Sequence, residues 1–344
     1  MNYSGDRILK SSKILLFFGL FPVLLSSLFS SRSVAQEQLT GTDITSVTVK
    51  TTAGSINSVP DVRGDSEFEG STYKLNFLGL TQSITGFSFN GGKATVDEAI
   101  PANVYVRRKP RADDRQLAWY FGTFNSSNNT FTFLAPGPLS QEQLFSENNI
   151  LAGFDNVFTN TGANVGGTPY NGNASIERVD FILHSSVEAS NDTAFIVLER
   201  GAVAGHDGFG IAAITKVNSS GKPIGYGSVF IVPVNTWGKV PLVTPIPQTY
   251  FLNNIANGGT GTAQNPALTV PAGQTLGGVV IKTSQLVSPG QTIYGYSIFG
   301  PDVTCSSREL VNVNNPCFPS ETKTEGGIDV PSVNLGAVKL QQGE

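Results

Sequence analysis

The sequence predicts an all-β protein, an antiparallel β-sandwich-like fold built on a central meander with one short helix. Only 14% of the 344 residues are charged, against about 25% in an average soluble domain. The 38 glycines and 19 prolines supply turns, and the 22 phenylalanines favour strands. Four short runs of β-branched and aromatic residues lie between turn residues, at 176–184, 193–201, 208–217 and 223–234. Because turn-length segments join these runs, we expect sequence neighbours to pair as an antiparallel meander.

The first 35 residues have the composition of a signal peptide. Three basic residues precede an apolar stretch at 14–29, and the small residues of 33–35 follow it. This order predicts cleavage after Ala35 and a protein that is secreted or displayed at the cell surface. An uncleaved membrane anchor is the alternative, because the apolar stretch approaches the length that spans a bilayer. After cleavage, we expect no membrane span in the rest of the chain.

Residues 36–157 form the predicted N-terminal β region. Runs with strand composition occur at 45–52, 73–80, 84–89, 104–108, 117–124 and 130–134. Helix signals are scarce, and the best one begins with Ser140 as N-cap and extends to residue 151. Leu144, Phe145 and Ile150 form its apolar stripe, so we expect this helix to cover an end or an edge of the sheet.

Residues 158–305 form the predicted central β-meander region, and residues 306–344 form a polar C-terminal tail with a disulfide loop. A loop rich in Gly, Asn and Thr at 158–174 leads into the central region. The last runs with strand composition lie at 276–283 and 292–299. The two β regions make either one domain or two domains with a seam at this loop.

Two cysteines, Cys305 and Cys317, lie close together in the part of the chain that is predicted to be exported. In an oxidising compartment such a pair forms a disulfide, which closes a short loop at the start of the tail. Zinc binding would need two more ligands, and no histidine lies nearby in sequence. We therefore expect a disulfide at this position and no metal site.

Five motifs of strands and turns occur in order within residues 165–303. They are IERVD (176–180), FIVLERG (195–201), DGFGIAAI (207–214), GKPIGYG (221–227) and IYGYSIFGPDV (293–303). This succession resembles a β-rich region of large exported bacterial surface proteins of adhesin type, which carry SdrD-B-like or immunoglobulin-like modules. The resemblance implies a secreted or surface-displayed β protein, and it brings no catalytic residue with it.

Acidic and basic residues cluster on two of the central runs, as Glu177, Arg178 and Asp180 and as Glu199 and Arg200. Asp180 and Glu199 could act as the paired carboxylates of a glycan-active hydrolase. An arginine beside each acid keeps the carboxyl ionised, however, and favours structural ion pairs across neighbouring strands. We therefore predict that these five residues are structural and that the protein is not an enzyme.

Histidines and aromatic residues supply the remaining candidates. His184 and His206 lack the spacing of a metal-binding motif, so we expect no metal and no other cofactor. Trp237, which follows a turn, is predicted to bind a ligand through an exposed ring, together with Tyr294 and Tyr296.

The formal net charge of −4 disfavours a nucleic-acid partner. The predicted function is that of an exported, non-catalytic surface or matrix protein, adhesin-like, that acts by binding or scaffolding. Its partner would be a surface glycan or another extracellular protein. The alternative is a carbohydrate-binding protein with a shallow aromatic site, and a glycan-active hydrolase ranks below both.

Overall fold

Strands make up most of the described chain, which confirms the predicted all-β class. The computed structural model describes residues 36–63, 72–109, 116–159, 175–201, 206–242, 248–253, 264–270, 275–320 and 327–343, and all of them belong to one unit, Val34–Glu344. The predicted signal peptide and its cleavage site lie outside the described residues. Within the described ranges, no helix is long and apolar enough to cross a membrane.

The described residues form two short α-helices and a series of strands. The helices are α1, Gln141–Ser146, and α2, Thr283–Leu286. The strands are β1 Glu37–Gln38, β2 Thr42–Thr52, β3 Asn57–Arg63, β4 Thr72–Phe77, β5 Thr81–Phe89, β6 Gly92–Thr95, β7 Ala102–Arg108, β8 Gln116–Asn125, β9 Thr130–Phe133, β10 Asn148–Phe154, β11 Ile176–Glu188, β12 Thr193–Gly201, β13 Phe209–Val217, β14 Pro223–Tyr226, β15 Phe230–Val232, β16 Gln248–Asn253, β17 Gln264–Val270, β18 Thr275–Lys282, β19 Thr292–Phe299, β20 Pro331–Val333 and β21 Val338–Gln342.

Hydrogen bonds arrange these described strands in three mostly antiparallel sheets. The first sheet has the order β1-β15-β13-β19-β11-β7, with β14 beside β13. The second has the order β17-β16-β8-β9-β4-β3, with β10 beside β8 and β20 beside β10. The third closes on itself in the order β12-β18-β2-β5-β6-β21. Two pairings are parallel, β1 with β15 and β4 with β9.

The central runs form strands at the predicted positions, but the predicted meander is wrong for the second run, β12, which pairs with neither β11 nor β13. Only the third and fourth runs pair as predicted, through β13 with β14 and β15. β11 pairs with β7 and β19, whereas β12 pairs with β18 and β21. The ring of Tyr296 stacks between Phe181 of β11 and Phe195 of β12, with centroid distances of 4.6 and 4.3 Å. The two strands therefore face each other across the core, where apolar side chains of both strands are buried.

Helix α1 begins where the sequence predicts and ends earlier. Ser140 is its N-cap, and reciprocal hydrogen bonds between Ser140 and Gln143 complete a capping box. The helix has only 6 residues, and Ile150 of the predicted stripe lies in β10 instead. The side chains of Asn148 and Asn149 form hydrogen bonds with backbone groups of β5 and of Leu80, the residue before it, which keeps this segment extended. Helix α2 is an addition to the one helix that was predicted.

The C-terminal tail, which the sequence predicts as polar, contributes to the core. Strand β20 pairs with β10, and β21 completes the closed sheet between β6 and β12. Ile328, Val330 and Val338 of the tail are buried. The predicted disulfide is confirmed, since Cys305 and Cys317 are bonded and their Cα atoms lie 4.8 Å apart.

The first sheet is covered on both faces. Its inner face packs against the closed sheet through the stack around Tyr296. On its outer face, Ile182 and Phe299 cluster with Leu310 and Phe318 of the segment that carries the disulfide. The edge strand β7 extends beyond this cover and keeps exposed residues. The candidate site lies at that open edge.

Candidate functional site

The outer face of the first sheet holds a buried carboxylate, Asp180, between two arginines. Arg178 Nε donates to Oδ1 of Asp180 at 2.6 Å, and Arg107 Nε donates to Oδ2 at 2.6 Å. Ser297 Oγ donates to Oδ1 at 2.7 Å. Burial acts to raise the pKa of Asp180, but the charge of Arg178 and the hydrogen bonds from Arg178, Arg107 and Ser297 bring that pKa below its usual value. The lowered pKa therefore favours the ionised form of Asp180.

Strand register explains why these groups meet. Asp180 lies opposite Tyr105 on β7 and opposite Ser297 on β19. Arg178 precedes Asp180 by two residues, so both side chains lie on the same face of β11. Arg178 also donates to the backbone carbonyl of Leu310. The network thus joins three strands to the disulfide-bonded cover.

Arg107 connects this network with the surface. Its guanidinium carbon lies 5.1 Å from the centroid of the Tyr105 ring, within the range of a cation–π contact. The side chain of Arg107 is 25% exposed, and Tyr105 is 39% exposed. The buried carboxylate therefore holds Arg107, and Arg107 supports one face of an accessible aromatic ring.

An open cleft of ≈ 540 Å³ lies beside this ring. The described residues that line it are Pro101, Ala102, Asn103, Val104, Tyr105, Ser146, His184 and Asn334. His184 Nε2 lies 3.2 Å from Asn103 Oδ1, and Asn334 Nδ2 donates to the Ala102 carbonyl at 2.7 Å. None of these lining residues is Asp, Glu, Lys or Arg, so the cleft offers a phenol, amides and an imidazole to a ligand.

A second buried arginine, Arg200 on β12, pairs with Asp155 and Asp329. Its guanidinium carbon lies 5.3 Å from the centroid of the Trp119 ring. Burial raises the pKa of Asp329 well above its usual value, although the charge of Arg200 opposes this shift. A raised pKa favours the neutral form of Asp329. This network ties β12 to β10 and to the tail.

The five residues that were predicted as structural ion pairs, Glu177, Arg178, Asp180, Glu199 and Arg200, are all buried. Arg178 pairs with Asp180 along one strand and not across neighbouring strands. The sequence predicts ion pairs between the charged side chains of β11 and those of β12 as neighbouring strands. The two strands belong to different sheets, so these cross-strand ion pairs do not form. For the same reason Asp180 and Glu199 are not neighbours in a sheet.

Glu199 belongs to another buried polar region, with Asp207 and His206. Glu199 Oε2 accepts a hydrogen bond from Asp207 N at 2.7 Å. Burial, together with the charges of Asp207 and Asp329, raises the pKa of Glu199 well above its usual value. Burial also lowers the pKa of His206, which favours a neutral imidazole. In the described part of the chain, no group of three or more His, Cys, Asp or Glu side chains could hold a metal ion.

Two of the three aromatic residues that were predicted to bind a ligand lie in the core. Trp237 is 2% exposed and Tyr296 is 3% exposed, so the prediction of exposed rings is wrong for both. Trp237 Nε1 donates to the Asp207 carbonyl at 2.9 Å, and its ring meets Phe209 edge-on. Burial thus satisfies the indole N–H and covers the large ring. Tyr294 is half-buried and packs against the outer cluster.

Asn103 and Tyr105 are not among the residues that the sequence predicts for the site. The sequence feature that could have identified them is the alternation of polar or aromatic residues with valine along 103–107. This alternation places Asn103, Tyr105 and Arg107 on one face of β7. Ser146 and Asn334 come near them only through the tertiary fold. The polar and aromatic face of β7 could have been recognised from the sequence, but the position of Ser146 and Asn334 beside it could not.

No protein-family model matches the chain, and neither a curated protein nor a solved structure matches it. The likeness to exported adhesin-type proteins stays a prediction from its five strand-and-turn motifs. The all-β fold and the cleft beside Tyr105 therefore carry the functional proposal.

Proposed function

We propose that this chain is an exported, non-catalytic surface or matrix protein, adhesin-like, that acts by binding or scaffolding outside the cell. The observation that carries this proposal is the open cleft at the edge of the first sheet, with Asn103, Tyr105 and His184 in its lining. Ligand sites commonly combine an aromatic surface with a few uncharged polar groups, and the Tyr105 ring and the Asn103 amide supply both here. The described lining includes no carboxyl group that would act as a general acid or base.

The buried charges support a structural use of the acidic residues. A glycan-active hydrolase needs two carboxyl groups on either side of one bound sugar. Asp180 and Glu199 are buried, and their strands belong to different sheets. Asp180 is also neutralised by Arg178 and Arg107. These placements favour binding over hydrolysis.

The disulfide supports export. The Cys305–Cys317 bond lies in the segment that covers the outer face of the first sheet. Disulfides persist in oxidising compartments outside the bacterial cytoplasm. The composition of residues 1–35 points the same way.

Export is tested with the full chain, carrying a C-terminal tag, in a bacterial host. We expect the tagged protein outside the cytoplasm, with an N-terminus at Gln36 in mass spectrometry. The matched control is Leu16→Arg, which places a charge in the apolar stretch and should leave the uncleaved chain in the cytoplasm. Wild-type chain that stays in the cytoplasm with residues 1–35 intact would contradict the proposal.

Surface or matrix placement is tested by adding a protease to intact cells. We expect the tag to be removed from intact cells or to be recovered in the medium, while a periplasmic marker protein stays intact. A tag that is protected in intact cells and absent from the medium would place the protein in an internal compartment and overturn the surface role.

A further inference from the structure

We propose that the cleft at the edge of the first sheet binds neutral carbohydrate, with the ring of Tyr105 as its stacking platform and Asn103 and His184 as its polar contacts. This inference rests on the proposed function, because an exported binding protein meets glycans outside the cell. It assigns the site to β7 and β11 and not to Trp237, which is buried.

The platform is ordered before a ligand arrives. Arg107 lies against one face of the Tyr105 ring, at 5.1 Å from its centroid, and Asp180 fixes Arg107 at 2.6 Å. Tyr105 nevertheless stays 39% exposed. A sugar presents an apolar C–H face that packs on an aromatic ring, and a ring that is already held loses little entropy on binding.

The polar groups match hydroxyl groups. Asn103 Oδ1 contacts His184 Nε2 at 3.2 Å, which orients the amide and the imidazole toward each other. An amide both donates and accepts hydrogen bonds, as each sugar hydroxyl does. Asn334 forms a fixed wall, since its Nδ2 donates to the Ala102 carbonyl at 2.7 Å and its Oδ1 accepts from Gly336 N at 3.2 Å.

The charges favour a neutral ligand over an acidic one. The described lining of the cleft contains no Lys, Arg, Asp or Glu. The charge of Arg107, which lies against the Tyr105 ring, is compensated by the ionised Asp180. The chain as a whole carries a formal net charge of −4, which repels acidic polymers at low ionic strength. The volume of ≈ 540 Å³ falls in the ordinary range of small-ligand sites.

The test uses the full chain, expressed and recovered from the exported fraction. Immobilised hexasaccharides of glucose, xylose and N-acetylglucosamine serve as neutral probes, and polygalacturonate serves as the acidic probe. Affinity for each neutral probe that binds is then measured by titration calorimetry. We expect binding to at least one neutral probe and none to polygalacturonate.

Matched variants assign the binding to the cleft. Tyr105→Ala should weaken it by roughly tenfold or more, because the stacking ring is lost. Tyr105→Phe keeps the ring and should bind within about threefold of wild type, whereas Asn103→Ala should weaken binding by about threefold to tenfold. Ile224→Ala, at an exposed apolar residue on β14, should leave binding unchanged. Thermal scans on each variant verify that it is folded.

Three outcomes would overturn the inference. They are no binding to any neutral probe, binding to polygalacturonate alone, and equal binding by the wild type and a folded Tyr105→Ala variant. If Tyr105→Ala does not fold, Asn103→Ala decides in its place, and binding equal to wild type by that folded variant would overturn the inference. If the protein is found at the cell surface but binds no glycan, the carbohydrate inference fails and the proposed function stands. If the protein is not exported, the proposed function itself fails.

Discussion

Arg107 Nε lies 2.6 Å from Oδ2 of Asp180, although the two residues are 73 positions apart in the chain. Asp180 is buried and Arg107 is partly exposed, so this contact joins the core of the first sheet to its open edge. Because Arg178 and Ser297 bind the same carboxylate, one anion organises strands β7, β11 and β19.

Removal of that anion should destabilise the protein strongly. In Asp180→Asn, Arg178 keeps its buried charge without a carboxylate partner, so the free energy of unfolding should fall by about 3–5 kcal/mol. Urea unfolding measures the loss. The control is Asp192→Asn at an exposed position, which should change stability by less than about 0.5 kcal/mol. Equal losses in the two variants would contradict a central role for Asp180.

The lowered pKa of Asp180 adds a pH dependence to the same variant. The folded-state pKa lies below the unfolded value of about 3.9, so this carboxylate stabilises the protein fully above that value. The stabilisation is lost as the pH falls through the folded-state pKa. The difference in unfolding free energy between wild type and Asp180→Asn should therefore be constant from about pH 8 to pH 5 and shrink below about pH 4. A difference that grows on acidification would refute this.

Glu199 should show the opposite behaviour. Its pKa is raised well above the usual value, so folding above the unfolded pKa of about 4.3 requires either proton uptake or a buried charge. Wild-type stability therefore falls as the pH rises from that value toward the folded-state pKa. Glu199→Gln keeps an acceptor for Asp207 N without the charge, and its Tm should exceed the wild-type Tm at pH 7 by roughly 2–4 °C.

Thermal scans across pH check this prediction for Glu199. The gain in Tm should shrink on acidification and disappear below about pH 4, where the wild-type carboxyl becomes protonated in both states. Glu188→Gln, on β11 and exposed, is the control and should have little effect at either pH. A Glu199→Gln variant that is less stable than wild type at pH 7 would show that the ionised carboxylate stabilises the fold.

The disulfide should stabilise the cover of the outer face. Replacing Cys305 and Cys317 together by Ser should cost about 3 kcal/mol, since the open chain gains conformational freedom in the unfolded state. Chemical unfolding with and without a reductant measures this effect. Reductant should lower the wild-type stability to that of the double variant and leave the double variant unchanged. A wild type that is insensitive to reductant would contradict the prediction.

His206 occupies a slot that two glycines leave open. A Cβ on Gly277 would lie 2.3 Å from His206 Nε2 and 2.7 Å from the Gly238 carbonyl. Gly277→Ala should therefore destabilise the protein by about 1–3 kcal/mol through overpacking. In the Gly277→Ala/His206→Ala double variant the methyl group has room on the imidazole side, so the combined loss should be smaller than the sum of the single losses. Additive losses in thermal unfolding would show that the imidazole does not cause the clash.

Local patterns in the sequence predict much of this fold. The turn residues, the β-branched runs and the scarcity of helix signals identify an all-β protein and most of its strands. Ser140 starts α1 as predicted, because a cap acts within three residues of itself. Cys305 and Cys317 pair as predicted, because they are close in the chain and few alternatives exist.

The candidate site is less predictable, because burial depends on segments that are distant in the chain. Trp237 follows a turn and still enters the core, where His206 and Phe209 pack against it. Tyr105 lies on a strand of ordinary composition and stays accessible because β7 is a sheet edge. Neither the burial of Trp237 nor the exposure of Tyr105 can be derived from the residues next to it in the sequence.

The sequence by itself determines the strand content, the start of α1 and the disulfide, since these depend on dihedral preferences and contacts over short chain separations. Only the tertiary structure decides that β12 faces β11 across the core, that the tail completes the closed sheet, and that Arg107 meets Asp180 at a separation of 73 residues. Such pairings are selected by the joint burial of apolar faces and by the need to neutralise charges inside them. These contacts depend on the fold of the whole chain, and the same fold leaves the first sheet open at its β7 edge, beside Tyr105.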